Sequence, residues 1–220
     1  MKKGKLIVID GSDGVGKATQ TKLLVERLKK EKIPVATLDF PQYQKNFFGA
    51  FLKECLSGAY GNFIALDPHI ASVLYAADRF ESKKKIEDWL AQGKIVVLDR
   101  YVSANQMHQG GKIVNAKERK KFLAWLDTME HKIFKLPRPD GILYLHLPTE
   151  LSLKLINKRG KKDLAEKSIR YLDQSRKNAL RLIQNTARWE KINCADAEGV
   201  LPRGKIHEIV YATCKKFAGI

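Results

Sequence analysis

The sequence has few cysteines and no long apolar run. Its three cysteines, Cys55, Cys194 and Cys214, are far apart and odd in number. This pattern argues against a disulfide framework or a zinc site and favours a reducing compartment, the cytoplasm. No apolar run approaches the roughly 18 residues of a membrane-spanning helix, so we expect no membrane partner. Repeats, low-complexity tracts and flexible linkers are also missing, which predicts a single domain over residues 1–220.

Acidic residues are the minority among the charged ones. The chain has 41 Lys and Arg against 24 Asp and Glu, a formal net charge of +17. Such an excess is typical of nucleic-acid-binding proteins, but it also occurs around sites for small anions. The basic residues are dispersed, and no ribbon interleaves them with aromatic side chains. We therefore favour a small anionic substrate over nucleic acid, which stays open as the alternative.

The stretch LIVIDGSDGVGKATQ, residues 6–20, is the most informative part of the chain. Residues 6–9 are apolar and three of the four are β-branched, which predicts a buried strand. A glycine-rich turn ending in Lys17 follows, and leucines then recur on one face of a predicted helix. Strand, glycine-rich turn and helix in this order are typical of a phosphate-binding P-loop. Inward backbone N–H groups, the helix dipole and the Lys17 ammonium would hold the phosphate together.

The P-loop lacks one expected group. The residue after the lysine is ordinarily Ser or Thr, whose hydroxyl binds Mg²⁺. Here that residue is Ala18, and Thr19 comes one place later. One residue turns a helix by about 100°, so Thr19 cannot simply take over the missing role. Phosphate binding is predicted, whereas the metal shell is incomplete.

Strand-like and helix-like segments alternate along the whole chain, which predicts an α/β fold with a parallel sheet covered on both faces. Further strands are expected at residues 33–38, 94–98, 141–147 and 189–194. Residues 68–91 are predicted to form one long helix. The segment that contains Asn105, Gln106 and His108 is predicted to be a loop.

Ligands of parallel α/β sheets lie at the carboxyl ends of the strands. Side chains suited to phosphate, metal or nucleotide follow the first three strands here: Asp13, Lys17, Phe40, Pro41, Tyr43, Asp99 and Arg100. Asp99 has the place of a carboxylate that holds Mg²⁺, although an ion pair with Arg100 would also explain it. Arg100 offers a planar fork that matches phosphate, and a surface ion pair is its alternative role.

Several motifs together resemble one family over nearly the full length. They are residues 11–20, DFPxY at 39–43, LYAAxR at 74–79, DRY at 99–101, residues 106–111 and PxPD at 137–140. The chain resembles the thymidylate kinases, which are P-loop nucleoside-monophosphate kinases. The resemblance implies a three-layer P-loop kinase fold whose five-stranded parallel sheet has the order 2-3-1-4-5. It also implies a basic lid at about residues 157–166, and a homodimer.

The resemblance further implies a reaction, transfer of the γ-phosphoryl group of ATP to dTMP with Mg²⁺. Two alternatives stay open. One is a kinase of the same fold for another pyrimidine monophosphate, and the other is a non-catalytic P-loop protein that binds nucleotide or nucleic acid.

The resemblance assigns roles to individual residues. Catalytic roles fall on Asp13, Lys17, Arg100 and Arg159, and metal binding on Asp13 and Asp99. The ATP-binding residues would be Gly11, Ser12, Asp13, Gly14, Val15, Gly16, Lys17, Ala18 and Thr19. The substrate-binding residues would be Phe40, Pro41, Tyr43, Tyr75, Arg79, Arg100, Asn105 and His108. Lys17 would bridge the β- and γ-phosphates, whereas Arg100 and Tyr43 would bind the acceptor's phosphate.

The thymine base has its own predicted partners. Tyr75 would stack on it, Arg79 would donate to a base carbonyl, and Asn105 would meet the N3 edge. Two positions depart from the family pattern. Gly14 stands where some members have an arginine, so the basic lid, with Arg159 first, would supply that charge. His108 stands where the family often has a tyrosine near the sugar.

Overall fold

Five parallel strands form the central sheet in the order β2-β3-β1-β4-β5, which confirms the predicted order. The structure is a computed structural model that describes residues 3–160 and 164–220. The strands of the sheet are β1 (Lys5–Gly11), β2 (Val35–Asp39), β3 (Ile95–Asp99), β4 (Gly141–His146) and β5 (Trp189–Asn193). A small antiparallel hairpin, β6 (Ala195–Asp196) and β7 (Gly199–Val200), follows the last of them.

Helices cover both faces of the sheet. They are α1 (Lys17–Lys30), α2 (Phe47–Ser57), α3 (Pro68–Glu81), α4 (Lys83–Ala91), α5 (Val102–Lys112), α6 (Ala116–Asp127), α7 (Thr149–Arg159), α8 (Leu164–Lys167), α9 (Ile169–Gln184) and α10 (Arg203–Ala218). A 3₁₀ turn spans Phe63–Ala65 and a π-helical turn spans Thr128–Ile133. Within residues 3–160 and 164–220, no helix is both long and apolar enough to cross a membrane.

The sheet separates two apolar cores. Alternate residues of β1 point to opposite sides, with Ile7 and Ile9 in the core under α1 and α10. Leu6 and Val8 lie in the core under α4, α5 and α9. The parallel register aligns the strand ends, because Ile9 pairs with Asp99 and Asp99 in turn pairs with Asp39. The turns that follow β1, β2 and β3 therefore meet at one edge of the sheet.

The prediction of one long helix over residues 68–91 was wrong, because the helix is interrupted at Ser82, which separates α3 from α4. Ser82 is buried, and its hydroxyl oxygen accepts a hydrogen bond of 3.0 Å from Asn46 Nδ2. Serine is a poor residue for a helix interior because its side chain competes with the backbone hydrogen bonds.

The predicted loop around Asn105 was also wrong, since these residues belong to α5. Gly110 and Gly111 suggested a turn, but they allow α5 to approach α9 closely. A Cβ atom on Gly111 would lie 3.1 Å from the Cα atom of Ser175, and one on Gly110 would lie 3.0 Å from Nδ2 of Asn178. Glycine in a helix can mark close packing as well as a break.

Candidate active site

The glycine-rich turn joins β1 to α1 and is tied together by its own lysine. Nζ of Lys17 donates to the carbonyl oxygens of Gly11, at 3.1 Å, and Ser12, at 2.8 Å. The same ammonium lies 3.5 Å from Oδ1 of Asp13. Burial lowers the pKa of Lys17, and Arg100 adds to this effect. The two hydrogen bonds to backbone carbonyls hold the ammonium at the loop, next to the N-terminus of α1, where phosphate binds in P-loops.

The back of this loop packs against α7. Gly14 has a φ of +78°, and a Cβ atom there would lie 2.9 Å from Cγ1 of Ile156 and 3.1 Å from the carbonyl oxygen of Ser152. The Ser152 hydroxyl donates a short hydrogen bond to the carbonyl oxygen of Asp13. An arginine would not fit at position 14, which gives a physical reason for the departure from the family pattern.

Arg100 connects the P-loop to the end of β3. It has a left-handed φ of +65°, and its Nη2 donates to Oδ1 of Asp13 in a short ion pair. Nη1 lies 3.7 Å from Oδ1 of the buried Asp10. Burial alone would disfavour the Asp13 carboxylate, but Arg100 and Lys17 outweigh it and hold the pKa of Asp13 below its usual range. The arginine is thus placed beside the loop that would hold the donor phosphates.

His108 links Arg100 to α9. Its Nε2 lies 3.1 Å from Nη1 of Arg100, and its Nδ1 lies 3.0 Å from Oγ of Ser175. A guanidinium only donates, so Nε2 must accept and the imidazole proton must be on Nδ1. The Ser175 hydroxyl in turn donates to the carbonyl oxygen of Tyr171, at 2.9 Å. Burial and Arg100 lower the pKa of His108 to about 3, so the ring is neutral near pH 7.

A pocket of about 610 Å³, which includes space open to solvent, lies next to the P-loop. Its lining includes all eight predicted substrate-binding residues: Phe40, Pro41, Tyr43, Tyr75, Arg79, Arg100, Asn105 and His108. Asp13 also lines it, so the P-loop and the pocket share a wall at Asp13 and Arg100. The lining residues come from the turns after β2 and β3 and from α3 and α5, and the fold brings these distant segments to one cavity.

The wall after β2 is held by a residue that the sequence analysis missed. Asp78 on α3 accepts from the backbone N of Gln42, at 3.1 Å to Oδ2, and from Nδ2 of Asn46, at 2.8 Å to Oδ1. Burial raises the pKa of Asp78. These bonds fix the turn that carries Phe40 and Pro41, whose peptide bond is cis. Asp78 lies beside Arg79 in the LYAAxR motif, which was the available signal.

The residues predicted to face the base differ in exposure. Tyr75 is half-buried and meets Phe63 edge-on, with ring centroids 5.9 Å apart. Arg79 is only 2% exposed, and it pairs with the fully buried Glu130. Sequence analysis missed Glu130. It also missed Tyr171 and Ala165, which line the side of the pocket near α8 and α9.

The two predicted metal ligands belong to neighbouring strands, since Asp13 lies in the P-loop after β1 and Asp99 ends β3; only Asp13 lines the pocket. Asp99 is half-buried, and burial raises its pKa. In the described part of the chain, no group of three His, Cys, Asp or Glu side chains could hold a metal by itself. Mg²⁺ commonly takes one or two carboxylates and completes its shell with phosphates and water. Asp13 and Asp99 would supply the two carboxylates of such a coordination shell beside the P-loop.

Arg159 is the last residue of α7, but its side chain is outside what the structure describes. Residues 161–163 of the predicted lid also lie outside the described residues. The role of Arg159 and the lid at about 157–166 therefore stay predictions.

Comparisons with known proteins point to one family. The thymidylate kinase family profile matches residues 9–200 of this chain. The chain belongs to the thymidylate kinase family.

Individual relatives agree with this membership. Thymidylate kinase of Mycobacterium tuberculosis is 30% identical over 158 residues, which cover 72% of this chain and 73% of the relative. A probable thymidylate kinase of Thermococcus onnurineus is 32% identical over 192 residues, covering 85% and 88% of the two chains. These matches confirm the enzyme class predicted from the motifs, a nucleoside-monophosphate kinase.

A solved structure supports the fold. The structure of thymidylate kinase from Candida albicans superposes with a TM-score of 0.75, covering 97% of this chain and 92% of that one, at 20% sequence identity. The P-loop kinase fold predicted from the resemblance is therefore confirmed.

Proposed function

We propose that this chain transfers the γ-phosphoryl group of ATP to dTMP, giving dTDP and ADP. The observation that carries the proposal is the wall shared by the P-loop and the neighbouring pocket, where Asp13 and Arg100 lie. A protein that only binds ATP has no need of a second pocket with an arginine beside the phosphate loop. Phosphoryl transfer requires two nucleotides with their phosphates adjacent and in line.

Each residue has a part in this scheme. Lys17 lies at the P-loop, where its ammonium would bind the β- and γ-phosphates of ATP. Arg100 would exchange part of its pairing with Asp13 for the acceptor's phosphate, assisted by Tyr43. Catalysis would be positioning and charge stabilisation, without a covalent intermediate on the protein. Arg159 and the lid would add positive charge and exclude water.

The base would lie deeper in the pocket. The aromatic face of Tyr75 suits stacking on a pyrimidine, while Arg79 and Asn105 would form polar contacts with its edge. His108 would face the sugar. Its imidazole is already used to accept from Arg100, so its ability to exclude a ribose 2′-hydroxyl depends on ring bulk alone.

Mg²⁺ is part of the proposal as a partner of the ATP phosphates. Asp13 and Asp99 would hold it directly or through water, since Ala18 offers no hydroxyl. When bound, the ion would neutralise charge on the β- and γ-phosphates. Both carboxylates lie at the carboxyl edge of the sheet near Lys17, which counts among the charges acting on each of them.

The testing experiment measures ADP release with ATP and Mg²⁺ against dTMP, dUMP, UMP and dCMP. We expect dTMP to give the highest kcat/KM and expect EDTA to abolish turnover. UMP turnover equal to that of dTMP would instead identify a kinase for another pyrimidine monophosphate. Tight ATP binding without turnover of any acceptor would support the non-catalytic alternative and overturn the proposal.

A homodimer is also proposed. Ile70, Val73 and Phe80 are exposed along one face of α3. The ring of Phe80 lies 5.2 Å from that of Phe134, next to the exposed Ile133. We call these five residues the α3 patch. A two-fold dimer pairs the same surface of each copy, so an apolar patch on one long helix can cover itself.

Replacing Val73 by glutamate is expected to convert this dimer to a monomer, because two like charges would face each other across the interface. Analytical ultracentrifugation at micromolar concentration measures the change. The matched control is Val114→Glu, an exposed apolar residue outside the α3 patch. A wild-type monomer, or a Val73→Glu variant that stays dimeric, would contradict the proposed interface.

We also assign the reaction to the cytoplasm. The three cysteines are buried thiols, Cys55, Cys194 and Cys214, as suits a reducing compartment. Fractionation of the source cells with an antibody against the chain tests this assignment, and recovery from an oxidising compartment would contradict it.

A further inference from the structure

Glu130 is a buried carboxylate to which the sequence motifs assign no role. It lies on the π-helical turn Thr128–Ile133 and its side chain is 0% exposed. A buried charge is costly unless it is paired and hydrogen-bonded. Oε2 accepts from Nε of Arg79 at 2.8 Å, and Oε1 accepts from Nη2 of the same arginine at 2.7 Å. This bidentate pair fixes the plane of the guanidinium.

The same carboxylate also binds Asn105. Nδ2 of Asn105 donates to Oε1 of Glu130 at 2.9 Å and to the carbonyl oxygen of Ser72 at 3.1 Å. A side-chain amide has two N–H donors on that nitrogen, and both are now used. The flipped amide would place Oδ1 against two acceptors, so Glu130 and Ser72 fix the orientation.

This orientation leaves one polar atom of Asn105 available. Among the described residues Oδ1 accepts no hydrogen bond, and it is not among the buried atoms that lack a partner. Oδ1 is therefore accessible from the pocket that Asn105 lines. Toward a ligand in the pocket, Asn105 therefore offers a hydrogen-bond acceptor, although an asparagine side chain in general can both donate and accept.

An acceptor at this place distinguishes pyrimidines. Thymine and uracil carry a hydrogen on N3 and a carbonyl oxygen on C4. Cytosine has a bare, accepting N3 and a donating amino group on C4. Nη1 of Arg79 donates one N–H to the carbonyl oxygen of Tyr101, at 3.3 Å, and Nη2 donates one to Glu130, so each keeps a second N–H. Oδ1 of Asn105 and these remaining N–H groups complement the N3 hydrogen and C4 carbonyl of thymine and uracil, and they oppose the corresponding groups of cytosine. A site with fixed polar groups rejects a mismatched analogue strongly because those groups stay unpaired.

We propose that Glu130 is a positioning residue that sets base selectivity, by holding Asn105 as an acceptor and Arg79 as a donor against an imide edge. The inference rests on the proposed function, since it assumes that a pyrimidine occupies this pocket. It predicts selection of thymine and uracil against cytosine, and it places the cause outside the residues that touch the base.

The test is the Glu130→Gln variant, assayed with dTMP and dCMP. Glutamine keeps the shape but carries an NH₂ group, which meets a donor in either orientation: Nε of Arg79 in one, and Nη2 of Arg79 with Nδ2 of Asn105 in the other. We expect kcat/KM for dTMP to fall by about 30-fold and the dTMP/dCMP ratio to fall at least tenfold, with the KM for ATP unchanged. The matched control, Glu118→Gln on the exposed face of the neighbouring α6, should leave the ratio as in wild type.

Other outcomes are decisive as well. A structural role alone would lower turnover of both nucleotides equally and leave their ratio unchanged, which would overturn the inference. Absence of dTMP turnover by wild type would instead overturn the proposed function. If the glutamine variant does not fold, Glu130→Asp replaces it, because aspartate keeps the negative charge but is one methylene shorter, which withdraws the oxygen shared by Asn105 and Nη2 of Arg79. A wild-type dTMP/dCMP ratio in that variant would also overturn the inference.

Discussion

Replacing Arg100 by methionine is expected to lower kcat/KM for dTMP by about 10³-fold, while ATP binding changes less than threefold. Two charge-assisted hydrogen bonds to a phosphate contribute together about 4 kcal/mol, which corresponds to this factor. Methionine retains the apolar stem, so mainly the guanidinium is lost. Steady-state kinetics with dTMP varied, and calorimetric titration with ATP, measure the two quantities.

Arg100 also neutralises Asp13, so the variant needs a control for folding. Thermal unfolding should show a folded protein of reduced stability, because the Asp13 carboxylate loses its closest partner. Arg138→Met is the matched surface substitution, since Arg138 pairs with Asp127 at 2.6 Å on an exposed face and belongs neither to the P-loop nor to the lining of the pocket. Its kinetics should stay within twofold of wild type. A folded Arg100→Met protein with normal turnover at low dTMP would remove Arg100 from the acceptor site.

Replacing Lys17 by methionine is expected to reduce kcat by about 10³-fold or more and to leave dTMP binding intact. The loss comes from the charge that would stabilise the transferring phosphoryl group. The substitution also removes the hydrogen bonds from Nζ to the carbonyls of Gly11 and Ser12, which are two of the contacts that hold the loop. Single-turnover kinetics with saturating ATP separate the chemical step from weaker ATP binding.

The control for Lys17 is Lys22→Met on the same helix, whose side chain is 77% exposed. We expect no kinetic change there. Retention of more than a tenth of wild-type kcat by Lys17→Met would mean that another cation serves the phosphates, and the lid would then be the first place to search.

Much of the architecture follows from local patterns in the sequence. Residues 6–9 alternate between two cores, and only a strand in the middle of a covered sheet buries every residue in this way. The P-loop is likewise a contiguous segment, so its geometry depends on residues adjacent in sequence. The strand order came instead from the family resemblance, because alternation alone does not determine which strands are neighbours.

The partners of the site residues were beyond prediction for a physical reason. Glu130 lies in a stretch with Met129 that reads as an ordinary amphipathic helix, and no local rule indicates the π-helical turn there. Its partners Arg79 and Asn105 are 51 and 25 residues away, so only tertiary packing brings them together. The helix that carries His108 was hidden by Gly110 and Gly111, whose value lies in contact with α9 rather than in local conformation.

The packing of the P-loop on α7 determines when the loop loses its conformational freedom. A loop that is disordered before its ligand arrives loses about 1–2 kcal/mol of backbone entropy per residue when it binds. Here Ile156 packs against Gly14, and the Ser152 hydroxyl donates a hydrogen bond to the carbonyl oxygen of Asp13. Much of that entropy is therefore lost during folding, when burial of the core compensates for it. Because the loop is already ordered, it loses less conformational entropy when ATP binds, and more of the interaction energy is retained as affinity.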